Sequence, residues 1–397
     1  MKTYIIANPP CGIYKGDLPL GYAYYQTLLD IHSRFLSKSK GLEVICPKYS
    51  LNALGKRAEN LNLNGTIEDL DRYVNEWIKK GNLRDKMNFS FSGNVLDTSK
   101  ESVEQTTETF RKLYEQGYSF QKEGTFYLDI KKIRKNFDLE GISQDINFFS
   151  NRSRNEFTRV IENLSEPVRI TKERKYSVSN PFGGEGISPI FGVSNLFEGH
   201  FDKEIDFMAS SEGELTRYLM LRFLCQVPIS KSLPMKNILV YNYINPEGDF
   251  NNWEMNKLAS DGVDSDSLRY SFAKCFSLSD QKTKLKKDML KGGKKLVYLT
   301  GNLKNLFLKD GFNFEGFQNT CDEIYVKRME NFKYPQVLGD LERKLKEVSN
   351  EVNNSRDKGD FDIQRKNLFS RYLTLVNELT PFLPFISQKV INDLSIK

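Results

Sequence analysis

The sequence predicts an α/β fold with a parallel sheet, followed by an α-helical bundle. Three observations predict it. In the first 275 residues, short β-branched and aromatic runs alternate with amphipathic helical stretches. Loops rich in glycine and proline follow those runs, where a parallel sheet places its ligands. From Ser267 onward the apolar spacing is helical almost throughout.

The elements follow in order. Residues 3–7 (Thr-Tyr-Ile-Ile-Ala) read as a buried strand stopped by Asn8-Pro9-Pro10. A loop through Gly12, Gly16, Pro19 and Gly21 leads to an amphipathic helix over Tyr22 to Leu36, with Tyr25, Leu28, Leu29, Ile31 and Phe35 apolar. Gly41 ends that helix, and Leu42 to Cys46 is a second strand, completing a βαβ unit. Thr66 to Lys80 and Lys100 to Gln116 read as helices, the second with Gly117 as its stop. The stretch 119–165 is mixed and charged, and its topology cannot be assigned from pattern. Residues 177–200 hold Pro181, Gly183, Gly184, Gly186, Pro189 and Gly192 and read as loop. Neither G-x-x-x-x-G-K-[ST] nor G-x-G-x-x-G occurs there, so a phosphate cradle lacks support. A strand from Ile205, a helix over 212–224 and a strand over Asn237–Ile244 form a second unit. The helices after Ser267 are expected to break at Gly292-Gly293, Gly311, Pro335 and Asp357–Gly359.

Composition narrows the function. The chain has 397 residues, 39% hydrophobic and 28% charged, which fits two or three globular domains. No apolar run approaches the ~18 residues of a membrane span, and the N-terminal run is too short for a signal peptide. Five cysteines lie far apart without a C-x-x-C pair, so neither a disulfide framework nor a structural zinc is expected. A reducing cytoplasm is the simplest compartment. The two histidines, His32 and His200, are 168 positions apart. Residues 276–397 hold 22 Lys/Arg against 16 Asp/Glu, which accounts for the whole net charge of +6. Seven lysines fall between Lys282 and Lys295 (Lys282, Lys284, Lys286, Lys287, Lys291, Lys294, Lys295) with one acid among them. They read either as a solvated helix face or as a surface for nucleic-acid phosphates.

Several segments, in this order, resemble class I aminoacyl-tRNA synthetases of the methionyl/leucyl/valyl group. Ile5-Ile6-Ala7-Asn8-Pro9-Pro10 resembles the family's first strand, and Gly16–Tyr22 falls where its HIGH signature lies. Asp30 and Arg34 keep the spacing of the following helix. Phe110–Tyr118 resembles the helix end that enters the connective insertion, and Ile170–Pro181 the return from it. Val240-Tyr-Asn-Tyr-Ile244 resembles the strand before the KMSKS loop, and Asp264–Tyr270 the junction after it. Pro381-Phe-Leu-Pro-Phe385 resembles the end of the anticodon-binding bundle. The resemblance implies a Rossmann-like catalytic domain in two halves (1–85 and 169–275), a reduced connective insertion (86–168) and a helical bundle like an anticodon-binding domain (276–397). It also implies ATP, an amino acid or aminoacyl small molecule, and tRNA as ligands. Pro9, Pro10, Gly21, Tyr22 and Glu214 fall at nucleotide-binding places, and Glu214 reads equally as an acid at a helix N-terminus. The seven lysines fall beside the RNA.

The signatures depart from the family at their charged positions. Pro19 and Tyr22 stand where the two histidines belong, and only Gly21 remains of that motif. After Ile244 comes Asn245-Pro-Glu-Gly-Asp249, lysine-free until Lys257. Leu36-Ser-Lys-Ser39 and Ile229-Ser-Lys-Ser-Leu233 imitate the lysine motif at the wrong places and read as surface segments. Ser50-Leu51-Asn52 replaces the acid expected to meet the amino group. Losing donors at a phosphoryl-transfer site typically costs ~10²–10³ each in rate, so ATP binding is expected to be weak or absent. Three readings follow. One is a divergent synthetase-like enzyme for aminoacyl activation or transfer, with Lys15, Arg174 and Lys257 as its cations. Another is an inactive paralogue that binds tRNA or a protein partner. The third is a tRNA-independent biosynthetic enzyme acting on an amino-acid-derived substrate.

Overall fold

The computed structural model describes residues 3–7, 11–12, 20–45, 49–52, 59, 66–81, 87–90, 94–96, 98–188, 205–211, 220–230, 235–246, 262–280, 282–309, 321–359 and 361–394. Strands β1 (Thr3–Ala7) and β2 (Cys11–Gly12) precede helix α1 (Leu20–Lys40). Next come β3 (Glu43–Ile45), β4 (Tyr49–Asn52), α2 (Ile67–Gly81), β5 (Asn94–Leu96) and α3 (Lys100–Glu115). The middle of the chain forms β6 (Ser119–Lys122), β7 (Thr125–Leu128), α4 (Ile130–Asn136), α5 (Leu139–Gln144), β8 (Asn147–Phe148), α6 (Asn151–Asn163) and β9 (Val168–Arg169). Then follow β10 (Ile205–Ser211), α7 (Met220–Ser230), β11 (Met235–Tyr241) and β12 (Tyr243–Pro246). The chain continues as α8 (Ser265–Cys275), β13 (Lys282–Leu285), α9 (Lys287–Lys309), α10 (Glu323–Glu330), α11 (Tyr334–Lys358), α12 (Phe361–Leu379) and α13 (Pro384–Asp393).

Five strands form one parallel sheet in the order β3-β1-β10-β11-β8. The predicted strands near residues 3–7 and 238–244 therefore share a sheet, with β10 between them. Ser211 pairs with Tyr241, so β10 and β11 end together, while β1 stops three residues short, its Ala7 pairing with Met208. Their runs are apolar rather than alternating because helices cover both faces of a parallel sheet. β1-α1-β3 and β10-α7-β11 are the two βαβ units, and the helical bundle follows them.

The stretch that pattern left unassigned contains a hairpin. β6 and β7 pair antiparallel through Lys122 and Thr125. The two residues between them, Glu123 (φ +50) and Gly124 (φ +81), are both left-handed, as a two-residue turn of the primed type requires. β9 adds to its edge.

Two expectations need correction. The strand expected over Asn237–Ile244 breaks at Asn242. Its second half, β12, leaves the sheet and pairs in parallel with β13, so Lys282–Leu285 is strand and not helix. At the break the Asn242 side chain bonds to three other segments. Nor do Gly292 and Gly293 end a helix; both lie inside α9. A Cβ at Gly293 would sit 2.7 Å from the Ser267 Cα, and one at Gly292 would sit 3.2 Å from the Tyr270 ring. The two glycines let α9 pack backbone-close on α8, and that contact outweighs their poor helix propensity.

Candidate functional site

In open parallel sheets, ligands bind outside the carboxyl ends of the strands. Here those ends are Ala7, Ser211 and Tyr241, and α1 starts beside them. The first turn of α1, Leu20-Gly21-Tyr22-Ala23, carries no charged side chain. Gly21 is exposed, with no atom within 4 Å of where its Cβ would be. Tyr22 is buried and packs edge-on against Tyr25, with ring centroids 5.0 Å apart. Tyr25 stacks on Tyr241 at 5.0 Å, with the ring planes 18° apart. Tyr24 meets Tyr241 and Phe272 edge-on at 6.4 and 5.5 Å. Among the described residues, the edge beside β11 is thus packed with buried aromatic rings.

Asn242 organises the corner behind those rings. Its Oδ1 accepts from the Tyr24 hydroxyl at 2.6 Å and from the Ser277 amide at 3.2 Å. Its Nδ2 donates to the Cys275 carbonyl at 3.1 Å and to the Thr283 hydroxyl. One buried amide therefore links α1, the end of α8 and β13. Pattern reading missed it, because an Asn within Val-Tyr-Asn-Tyr-Ile looks like an ordinary interior position of a strand.

The site residues named from sequence fare as follows. Pro9, Pro10, Lys15, Glu214 and Lys257 lie outside the described residues, as does the acidic stretch Glu247–Asp249. Arg174 is described, and its guanidinium pairs with Glu59 at 3.2 Å, while the Lys175 amide donates to the same carboxylate at 3.3 Å. Lys282 and Lys284 are exposed on β13, Lys286 is exposed before α9, and Lys287 opens α9. Lys291, Lys294 and Lys295 are exposed on α9, and Lys291 faces Asp288 at 3.2 Å. The seven lysines thus divide between a strand and a helix.

A second set of contacts joins the sheet to the bundle. Asp30 on α1 is fully buried and pairs with Arg34 at 2.8 Å and Arg269 at 2.7 Å. It also accepts from the Ser90 amide and hydroxyl, each at 2.6 Å. Burial pushes the Asp30 carboxyl up, but the two guanidinium groups and Ser90 outweigh it and hold the group below its usual range. Arg269 donates further to the carbonyls of Met87, Pro381 and Phe382. Asp266 accepts from the amides of Phe385 and Ile386 at 3.2 and 2.7 Å, capping α13. Burial raises its carboxyl to about 6 despite those donors. The junction segment Asp264–Tyr270 and the Pro381–Phe385 segment, read separately in the sequence, therefore meet.

Lys38 corrects the surface reading of Leu36–Ser39. Its ammonium donates to Asn377 at 2.8 Å and Thr380 at 2.9 Å, so the imitation motif is a docking point between α1 and α12. Partial burial lowers its pKa to about 8. Of the other imitation motif, Ile229 and Ser230 end α7, and the rest lies outside the described residues. His32 is no site residue: its imidazole packs against Phe207 and Phe332, 4.7 Å from each, and burial lowers its pKa to about 3. Among the described residues no group of three or more His, Cys, Asp or Glu side chains could hold a metal, and no helix is long and apolar enough to cross a membrane.

No family model matches the chain, and no curated protein matches it in sequence. Solved structures do. Methionyl-tRNA synthetase of Mycobacterium tuberculosis bound by methionyl-adenylate superposes with a TM-score of 0.78 at 12% identity, over 98% of this chain and 94% of that one. A second structure of that enzyme with methionyl-adenylate gives 0.75 at 13% identity, over 99% and 94%. Its free form gives 0.69 at 13% identity, over 99% and 92%. The chain shares the fold of methionyl-tRNA synthetase over 98% of its length.

Proposed function

We propose that the chain is a methionyl-tRNA-synthetase-like protein that handles an aminoacyl group and binds tRNA, with non-standard residues at its site. The observation that carries this reading is the extent of the likeness: sheet and helical bundle are both present, over 98% of this chain and 94% of the synthetase. The boundaries 1–85, 86–168, 169–275 and 276–397 are our division of the chain into two sheet halves, insertion and bundle.

The exposed face of α9 supports the RNA half of the reading. Lys291, Lys295, Tyr298, Asn302, Asn305 and Lys309 follow one another at helical spacing, with Tyr298 71% exposed. The stripe runs into a groove of about 550 Å³ lined by Asn302, Asn305, Lys309, Ser349 and Asn353 together with Leu299, Leu303, Leu306 and Leu308. Cations for phosphates, a ring for stacking and amides for base edges are what a single-stranded loop needs. A second reading, an inactive paralogue that binds tRNA, draws support from two observations. The Tyr25–Tyr241 stack is uncharged, and Arg174 is engaged by Glu59.

ATP–pyrophosphate exchange across the twenty amino acids, with and without bulk tRNA, tests the proposal. Exchange with one amino acid supports it. Salt-sensitive tRNA binding without exchange moves the weight to the paralogue, and the absence of both exchange and tRNA binding overturns both readings.

A further inference from the structure

The β6–β7 hairpin and β9 form a small antiparallel sheet whose two faces differ. Phe126 and Leu128 turn to the buried face, where the Phe126 ring packs on Phe110 and Tyr114 of α3, each at 5.3 Å. The alternate positions make up the opposite face. There the register sets Phe120, Tyr127 and Arg169 side by side, one from each strand. The Phe120 and Tyr127 rings are half-buried and stacked, with centroids 5.7 Å and planes 21° apart. Arg169 is exposed, and its guanidinium is fixed by the Thr171 carbonyl at 2.8 Å and by the Glu185 carboxylate. Lys122, two positions along β6 from Phe120, is exposed on the same face. Close by, the Lys132 ammonium stands 5.3 Å over the ring of Tyr118. Residues 119–135 hold five Lys/Arg against two Asp/Glu, so the surroundings of the ring pair are basic.

We infer that this sheet face is a stacking platform for single-stranded RNA, with bases on Phe120, Tyr127 and the Arg169 guanidinium and phosphates on Lys122 and Lys132. Every base has a π-face, so rings abreast on a sheet hold a single strand without reading its sequence, while neighbouring cations follow its backbone. A duplex hides those faces in its own stack and is a poor fit. The buried side of the sheet, anchored on α3, keeps the platform rigid, so little ordering is needed on binding. The inference needs neither amino-acid activation nor the α9 stripe, with which it shares only the class of ligand.

The test is fluorescence anisotropy of the intact chain with a short labelled oligouridine, beside a duplex RNA of the same length. The single strand should bind and the duplex bind at least about tenfold more weakly. Phe120→Leu/Tyr127→Leu should weaken the single strand about tenfold or more, and Phe120→Tyr/Tyr127→Phe should stay within about twofold, because only the rings matter. Lys122→Gln/Lys132→Gln should lower the salt slope by roughly 0.7 per lost contact. Phe120→Trp places a reporter on the platform itself. Oligouridine should quench its emission, corrected for Trp77 and Trp253 with the natural chain, and that readout holds even where the leucine pair fails to fold. Lys291→Gln/Lys294→Gln/Lys295→Gln should leave the quenching unchanged, which separates this face from α9. No binding of oligouridine, equal binding of duplex, undiminished binding in the leucine pair or no quenching at Phe120→Trp overturns the inference, and the ring pair then only steadies the hairpin. Quenching without any binding of tRNA sinks the reading of the α9 stripe alone.

Discussion

The Asp30 carboxylate and the Arg269 guanidinium, 239 positions apart, form an ion pair of 2.7 Å with both side chains fully buried. Asp30 belongs to the first helix of the sheet layer, and Arg269 carries the contact on to the carbonyls of Pro381 and Phe382. A buried pair of this kind adds little net stability over apolar residues, but breaking it leaves an uncompensated charge. Asp30→Asn or Arg269→Met should each cost about 3–5 kcal/mol in urea unfolding. A double Asp30→Leu/Arg269→Met variant should recover part of that cost. Additive losses would show that the two groups do not act as a pair.

His32 makes stability fall in acid. Its folded pKa, about 3, lies below the unfolded value near 6.5, so the unfolded chain takes up the proton first. Its contribution is full above pH 6.5 and is lost as pH falls towards 3. Between pH 6.5 and 4.5 the loss is about 2 kcal/mol. His32→Phe, packed beside Phe207 and Phe332, should flatten that limb of the stability–pH curve. An unchanged slope would mean that other groups set it.

Gly293→Ala tests the α8–α9 contact. Its Cβ would stand 2.7 Å from the Ser267 Cα, so overpacking should cost about 1–3 kcal/mol despite the gain in helix propensity. Gly301→Ala on the same helix meets only Ile386, at 3.8 Å, and should be neutral or stabilising. Calorimetric melting of the two variants separates packing from propensity.

The helix lysines carry the RNA prediction. Changing Lys291, Lys294 and Lys295 to Gln should weaken all tRNAs alike and reduce the salt slope by roughly 0.7–0.9 per lost contact. A merely solvated face would leave binding untouched and stability within ~0.5 kcal/mol.

Much of this fold was legible in local pattern. The apolar runs at Ile5-Ile6 and Ile238–Val240 mark buried strands because a covered parallel sheet leaves no polar face to alternate. The helix over Lys100–Gln116 declared its end through Gly117, at φ +72, whereas its cap at Ser99, accepting from the Ser102 amide, went unread. What escaped depended on residues far away in sequence. Gly292-Gly293 reads as a stop until Ser267 stands against it. Asn242 reads as an interior strand position until Tyr24, Cys275 and Thr283 surround it. Lys38 reads as surface until α12 brings Asn377 and Thr380 to its ammonium. Of the site, the losses at Pro19 and Tyr22 were plain in the sequence, whereas the aromatic packing was not. Tyr25 and Tyr241 lie 216 positions apart, and periodicity assigned each to its own element.

Helix α1 has a consequence beyond its packing. Its 21 residues span about 30 Å at 1.5 Å per residue, with no proline and no glycine after Gly21 to bend it. At one end stand Tyr22, Tyr24 and Tyr25; at the other, Lys38 holds α12 and Lys40 pairs with Glu330 at 2.6 Å. It is a stiff lever. A tilt of about 5° delivered where the bundle grips it sweeps the far end through about 2–3 Å, more than the slack in any hydrogen bond there. Whatever settles on the bundle firmly enough to move that grip also moves the tyrosines, and by linkage an occupant among the tyrosines alters the grip by the same free energy.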